Sequence, residues 1–209
     1  MVQGNIVFLN GISSSGKTTI AKAFQELMEE PYFRTGLDHF LDMTHDKFHT
    51  ISADTNPPLA DGFLWVRATG TEPGTEIRIG PAGYKLLAGM YRAIGVLAAT
   101  GNNIIVDDVL FDRKVLKDAV ETLYLHKVLF VGVRCPLEVA EQREKERSDR
   151  FPGLARQHFD IVHAHGIYDL EVDTFTLTPP ECANQIKQRL ENGPTPDAFR
   201  RLRDHSGSG

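Results

Sequence analysis

The sequence predicts an α/β fold, a mostly parallel sheet covered by helices on both faces. Three observations lead there. A strand, a glycine-rich turn and a helix open the chain in that order. Short apolar runs then alternate with segments of helical period as far as Leu190. The start of a glycine-rich turn, Gly11, and three carboxylates, Asp38 and Asp107-Asp108, fall where predicted strands end. In sheets of this kind ligands bind beyond the carboxyl ends of the strands.

The first strand is Asn5 to Asn10, apolar and rich in branched residues, so it reads as buried. It leads into Gly11-Ile12-Ser13-Ser14-Ser15-Gly16-Lys17-Thr18, which matches the phosphate-binding pattern G-x-x-x-x-G-K-[ST]. Thr18 to Glu29 follows with Ile20, Ala23, Phe24, Leu27 and Met28 at helical spacing. That succession specifies a three-layer P-loop NTPase fold.

Phe33 to Leu37 reads as a second strand ending at Asp38. Thr44 to Gly80 reads as irregular, with Pro57-Pro58 and many Gly, Thr and Asp; such long stretches are usually functional or mobile. Pro81 opens a helix to Thr100, with Gly101 past its end. Asn103 to Asp108 is a strand closed by two acids. Arg113 to Leu125 is a helix, Lys127 to Cys135 a buried strand, and Pro136 starts a helix through Arg147. Phe151-Pro152-Gly153 breaks the pattern, and Gln157 to His165 reads as helix. Leu170 to Asp173 is the last strand and Pro180 to Leu190 the last helix. The expectation is one domain over 1–192. Residues 193–209, polar and ending in Gly and Ser, are expected to form a flexible tail.

The 209 residues suffice for one core, and a net charge of −5 argues against a nucleic-acid or membrane surface. No segment is long and apolar enough to span a bilayer. The start runs straight into a strand without a signal-peptide pattern, so a cytoplasmic location is expected. Cys135 and Cys182 form no metal or redox motif and read as reduced, packed thiols.

The loop explains its own chemistry. Gly11 and Gly16 open backbone angles closed to other residues, so that the N–H groups of the turn converge on a phosphate at a helix N-terminus. The nucleotide-binding set is therefore Gly11, Ser13, Ser14, Ser15, Gly16, Lys17, Thr18 and Thr19. Lys17 supplies a mobile charge to the β- and γ-phosphates, and the Thr18 hydroxyl is a ligand for Mg²⁺. Asp107 and Asp108 end a strand where an acid supports that ion; strand alternation points them oppositely, with Asp107 favoured for the metal and Asp108 for the acceptor side. Asp38 fits two roles: a base that takes the proton of an attacking hydroxyl, or an N-cap for a helix beginning near Phe40. Arg143, Arg147 and Arg150 fall at helical spacing. They could form a lid over a transferring phosphate, or a solvated face paired with Glu141, Glu144 and Glu146. His163 and His165 read as surface or lid-packing residues. Trp65, Phe63 and Tyr84 suit either an aromatic acceptor pocket or the core.

The order of these pieces resembles the chloramphenicol phosphotransferase family of P-loop kinases. The resemblance is carried by VFLNGISSSGKT (Val7 to Thr18), Gly36-Leu37-Asp38, Ile79-Gly80-Pro81, IIVDDV (Ile104 to Val109), Val131 to Cys135, REKERSDR (Arg143 to Arg150), YDLEVDT (Tyr168 to Thr174) and Glu181-Cys182-Ala183. It covers nearly everything but the tail. It implies a nucleoside-monophosphate-kinase-like fold, with an acceptor segment about 38–90 and an arginine-bearing lid about 143–157. It also implies transfer of the γ-phosphoryl of Mg·ATP to an alcohol, in the family the primary hydroxyl of chloramphenicol, which inactivates the antibiotic. By position Asp38 becomes the base, Lys17 the phosphate clamp, and Arg143, Arg147 and Arg150 the stabilisers of the transition state. Between Phe40 and Gly80 the chain departs from the family's pattern.

Two other functions stay open at this point. A metabolic kinase with an anionic acceptor would need a positive pocket, and Asp38 to Gly80 offers only Lys47, Arg67 and Arg78. A regulatory NTPase without an acceptor would have no use for a base at Asp38.

Overall fold

The computed structural model describes residues 2–52, 54, 60–68, 74–147 and 152–206. Asn5–Asn10 forms β1, the middle strand of a five-stranded sheet. Around it lie β2 (Tyr32–Gly36), β6 (Asn103–Asp108), β7 (Lys127–Arg134) and β8 (Leu170–Asp173), in the order β2-β6-β1-β7-β8. Every pairing in this sheet is parallel, which places all five carboxyl ends at one edge.

Alternation along the strands sorts the core into two layers. Val7, Leu9, Ile105, Leu129 and Val131 face α1 (Lys17–Leu27) and α7 (Pro179–Asn192) through Ile20, Phe24, Cys182 and Ile186. Ile6, Phe8, Ile104, Val106 and Phe130 face α3 (Pro81–Ala99) and α4 (Arg113–Leu123) through Met90, Tyr91, Ile94, Val120 and Leu123. Both layers are buried, as a parallel sheet requires. The α/β class and most elements stand close to their predicted bounds.

Four expectations need correction. The second strand ends at Gly36, not Leu37, and Leu37–Leu41 is a short helix, α2. Gly36 pairs with Asp107 at the end of the sheet, and a Cβ on it would lie 1.9 Å from the Asp107 carbonyl oxygen. The chain must therefore be bare there and turn away.

The stretch Thr44 to Gly80 is not irregular throughout. It holds a second sheet, β3 (His49–Ser52), β4 (Phe63–Ala68) and β5 (Gly74–Ile79), with β3 parallel and β5 antiparallel to β4. Polar edge strands beside one apolar strand carry little local signal. Their order comes from pairing with Phe63-Leu64-Trp65-Val66, which is buried.

The helix expected over Gln157 to His165 is α6, Leu154–Val162, which follows α5 (Leu137–Lys145). Its start is set by Glu144 of α5, whose buried carboxylate accepts from the N–H groups of Gly153 (2.7 Å) and Ala155 (3.1 Å). An acid at a helix N-terminus satisfies orphan donors and the helix dipole together. Gly153 makes the turn with a φ of +89°.

The expected flexible tail is the fourth correction. Ala198–Ser206 forms α8, and Ala198, Phe199 and Leu202 enter the core. Phe199 packs 5.5 Å from Phe8 and 4.9 Å from Phe130, ring centre to ring centre. The anchor is Asp169. Its carboxylate accepts from the N–H groups of Phe130, Asp197 and Ala198. Arg189 reaches the Asp169 carbonyl at 3.2 Å and the Pro194 carbonyl at 2.6 Å, pinning the turn between α7 and α8. A polar composition hid three inward-facing apolar residues on one helical face.

Replacing Phe199 with Ala should cost about 3 to 5 kcal/mol of unfolding free energy, as for other buried aromatic truncations. Urea denaturation checks it; a loss under about 0.5 kcal/mol would restore the loose-tail reading.

Candidate active site

The site begins where β1 gives way to the turn before α1. Gly11 has an ordinary backbone, so the expectation that it needs special angles is replaced by a steric one. A Cβ there would meet the Val133 carbonyl at 2.6 Å and Ser15 Oγ at 2.8 Å. Gly16 does require glycine: its φ is +97°, and it caps α1 without any side-chain hydrogen bond. Ser14 also has a positive φ, +59°, alone among described non-glycine residues. Such backbone is held only where the surroundings over-determine it.

The loop fits an anion. Ser14 Oγ and Ser15 Oγ are buried without a hydrogen-bond partner, and the uncapped N-terminus of α1 points its positive end the same way. Lys17 is buried, with Nζ donating to the carbonyls of Gly11 and Ile12, both at 2.9 Å. Thr18 Oγ1 donates to Asp107 Oδ2 at 2.5 Å. A hydroxyl and a carboxylate side by side suit a hard divalent cation that keeps water and phosphate oxygens as its other ligands.

Asp108 does not join them. Its carboxylate is buried on the other face of β6, where it accepts from the Tyr91 hydroxyl (2.7 Å) and the Val109 N–H (2.7 Å). Desolvation raises its pKa to about 6 despite those bonds. Neither the metal role nor the acceptor-side role expected of it is compatible with that placement. The strand alternation that separates the two acids was legible; which side each takes was set by register against β1.

A cleft of about 860 Å³ runs along the carboxyl edge of the sheet. Ser13, Ser14, Gly16, Lys17, Thr18 and Thr19 line its middle. Asp38 stands in the first turn of α2, exposed to the cleft; the N-cap of α2 is Gly36, so Asp38 is not a cap. Leu37, Leu41, Ile51, Trp65 and Ile77 make that end of the cleft apolar, with Asp42 and His49 beside them. Of the three predicted aromatics only Trp65 lines the cleft. Phe63 is in the core, and Tyr84 donates to Asp112 at 2.9 Å on the α3–α4 side.

Arg143 and Arg147 line the opposite wall. They do not share a helical face, because α5 ends at Lys145 and Glu146 caps it. Arg150 lies outside the described residues. Of the predicted ion-pair partners, Glu144 caps α6, Glu141 pairs with Arg156 at 2.7 Å, and Glu146 bonds Gln142 at 2.9 Å. Arg143 instead bonds Thr174, Nη1 to the hydroxyl at 3.1 Å and Nη2 to the carbonyl at 3.0 Å. Lys17, Arg143 and Arg147 are the only lysines or arginines lining the cleft among the described residues. Lys47 stacks on Phe48, and Arg78 pairs with Glu76, elsewhere.

Several lining residues were not foreseen, His158 among them. His158 of α6 is 5% exposed and stacks on Phe111 at 4.6 Å with the rings 10° apart. Burial, and secondarily the Lys17 charge, lowers its pKa to about 4. Its i−3 neighbour Ala155 and i+4 neighbour Val162 are buried, so helical period gave the only signal. His163 and His165 pack inward rather than at the surface. His163 Nδ1 bonds the Tyr168 hydroxyl at 2.7 Å and His165 stacks on Phe130 at 5.3 Å. Burial, then the Arg134 charge, lowers their pKa values to about 3 and about 4.

Comparison with known proteins agrees with this geometry. Residues 4–191 match the family described as chloramphenicol phosphotransferase-like protein. Two proteins of Mycobacterium tuberculosis, from strains CDC 1551 and H37Rv and provisionally named O-phosphotransferases, are 34% identical over 211 residues. The match spans 97% of this chain and 89% of each of them. Among solved structures, the Mycobacterium tuberculosis APS kinase CysC in complex with AMPPNP and APS has a TM-score of 0.63 at 15% identity, over 92% of this chain and 100% of that one. A sugar kinase from Janibacter sp. HTCC2649 has a TM-score of 0.60 at 20% identity, over 91% and 96%. The Deinococcus radiodurans tunicamycin resistance protein has 0.60 at 15%, over 90% and 96%. At these identities the solved structures share the fold.

The buried ring of His158 and the half-buried rings of His163 and His165 set a pH dependence. Each stays neutral in the folded chain at pH values where an unfolded histidine, pKa 6.5, takes up a proton. The unfolded state then binds more protons, so their stability contribution is present above pH 6.5 and is lost as pH falls toward 4. Asp108 works in the opposite sense, its raised pKa favouring the folded state at low pH, but it is one group against three. The urea midpoint should fall between pH 7 and pH 5, and His158→Gln should flatten that fall. A midpoint independent of pH would contradict the burial of these rings.

Proposed function

The chain belongs to the chloramphenicol phosphotransferase-like family, and from that premise we propose that it is an ATP-dependent O-phosphotransferase, moving the γ-phosphoryl group of Mg·ATP to a hydroxyl of a small molecule. One observation carries the reading. A single cleft presents an anion-binding loop, an exposed carboxylate and two guanidinium groups, with an apolar end beside the carboxylate.

The residues divide the work by position. The loop from Gly11 to Thr19 holds the nucleotide phosphates, with Lys17 withdrawing from the loop carbonyls toward the β- and γ-oxygens. Thr18 and Asp107 would hold Mg²⁺, which neutralises charge on those oxygens when bound. Asp38 accepts the proton of the acceptor hydroxyl as its oxygen attacks the γ-phosphorus in line, and the bond to the ADP oxygen breaks. Arg143 and Arg147 face the charge spread over the equatorial oxygens, and the walls limit water. Arg150 is assigned to the same lid from its place in the sequence.

The acceptor end is apolar, carries Asp38 and Asp42, and has no lysine or arginine among its described lining residues. That favours an uncharged acceptor over an anionic one and weighs against an acceptor of the APS type. Chloramphenicol, through its primary hydroxyl, is the acceptor we propose to test first; antibiotic inactivation follows as the physiological reading. None of the described helices is long and apolar enough to cross a membrane, and the need for ATP supports a cytoplasmic location. A nucleotide-dependent switch is less well supported, since it has no use for a carboxylate at Asp38.

Enzyme incubated with Mg·ATP and chloramphenicol should yield a phosphorylated drug by mass spectrometry. No phosphorylated product with that or other neutral alcohols, despite intact ATP binding, would remove the transferase reading. Asp38→Asn should keep ATP affinity and lose about 100-fold or more in turnover; undiminished turnover would dismiss Asp38 as the base. Lys17→Ala should weaken ATP binding by about tenfold, measured by calorimetry.

A further inference from the structure

The Thr174 hydroxyl stands between the lid and the phosphate loop. Thr174 follows β8, and its N–H donates to the Arg134 carbonyl at 3.0 Å, which fixes its backbone beside β7. Its Oγ1 has two carbonyls within hydrogen-bond reach, Ser15 of the loop at 2.9 Å and Arg134 at 3.3 Å, and donates to the nearer one. A hydroxyl has one proton, so the remaining lone pairs of Oγ1 can only accept. Arg143 Nη1 supplies that donor at 3.1 Å, while Nη2 takes the Thr174 carbonyl at 3.0 Å. The second Nη1 proton is directed at Cys135 Sγ, 3.5 Å away.

The guanidinium is thus gripped along one side. It is set directly over the loop: a Cβ built on Gly16 would lie 3.7 Å from Arg143 Nη1 and 3.5 Å from Thr174 Cγ2. Of the five N–H groups of an arginine, Nε–H and one proton of Nη2 have no partner among the described residues, and these remain for a ligand. A long flexible side chain pays conformational entropy to hold one pose. Here three directed hydrogen bonds impose the pose in advance.

We propose that Thr174 is a positioning residue, fixing Arg143 over the phosphate loop so that nucleotide binding and the placement of this arginine are one event. The proposal rests on the phosphotransferase reading for the identity of the ligand. Thr174 touches both Arg143 and the loop itself, so a loss on mutation must be assigned to one of them. A double-mutant cycle does this.

The test is calorimetric titration of Mg·AMPPNP into wild type, Thr174→Val, Thr174→Ser, Arg143→Gln and the Arg143→Gln/Thr174→Val pair. Thr174→Val keeps the shape and removes the hydroxyl. It should weaken binding about tenfold, in line with loss of a hydrogen bond to a charged group. Thr174→Ser should stay within about twofold of wild type, because the hydroxyl is restored. In the Arg143→Gln background, Thr174→Val should add no more than about a further twofold. Equal losses in both backgrounds would mean that the hydroxyl acts on the Ser15 carbonyl and not through Arg143, overturning the proposal. An unaffected Thr174→Val would overturn it too. Should Thr174→Val fail to fold by circular dichroism, Thr174→Ala carries the same expectation. Absence of AMPPNP binding by wild type would overturn the phosphotransferase reading itself, and this proposal with it.

Discussion

Asn10 is completely buried, and its amide ties together three separate stretches of chain. Its Oδ1 accepts from the Leu110 N–H at 2.9 Å, just past β6. Its Nδ2 donates to the Val162 carbonyl at the end of α6 (3.0 Å) and to the Tyr168 hydroxyl (2.8 Å). A buried amide left unpaired is costly, so these partners must be supplied together or not at all. The end of β1, where the phosphate loop departs, is thereby locked to the segment carrying Phe111 and to the helix carrying His158. The cleft inherits its shape from that lock.

The two walls of the cleft are joined by a second set of bonds. Glu144 holds the start of α6 to α5, and Thr75 of β5 donates to the Pro152 carbonyl at 2.7 Å. The small sheet that makes the apolar end is therefore attached to the element that carries the arginines.

Electrostatically the cleft is divided. Lys17, Arg143 and Arg147 bring positive charge to the loop and the α5 wall, where Asp107 and Glu146 stand beside them, and the α2 end carries only the acids Asp38 and Asp42 among its described charged lining residues. The nearby histidines are kept neutral by burial, so at neutral pH they add hydrogen-bonding capacity and no charge.

The sequence by itself determined the α/β class, the phosphate-loop motif, the strand-end acids and the edge of the sheet along which the cleft lies. Each rests on local information: glycine spacing, apolar period, and the place of a residue at the end of a strand. It also indicated that Asp107 and Asp108 part company. The tertiary structure decided the rest. The second sheet exists because β3 and β5 pair with β4, and pairing is not visible in polar edge strands. The last helix is ordered because Asp169 and Arg189, distant in sequence, hold its start. Glu144 reads as one more charge in a charged run until the start of α6 is laid across it. Thr174 closes the YDLEVDT stretch, but its connection of Arg143 to Ser15 depends on residues 31 and 159 positions away that only the folded chain brings within hydrogen-bond reach.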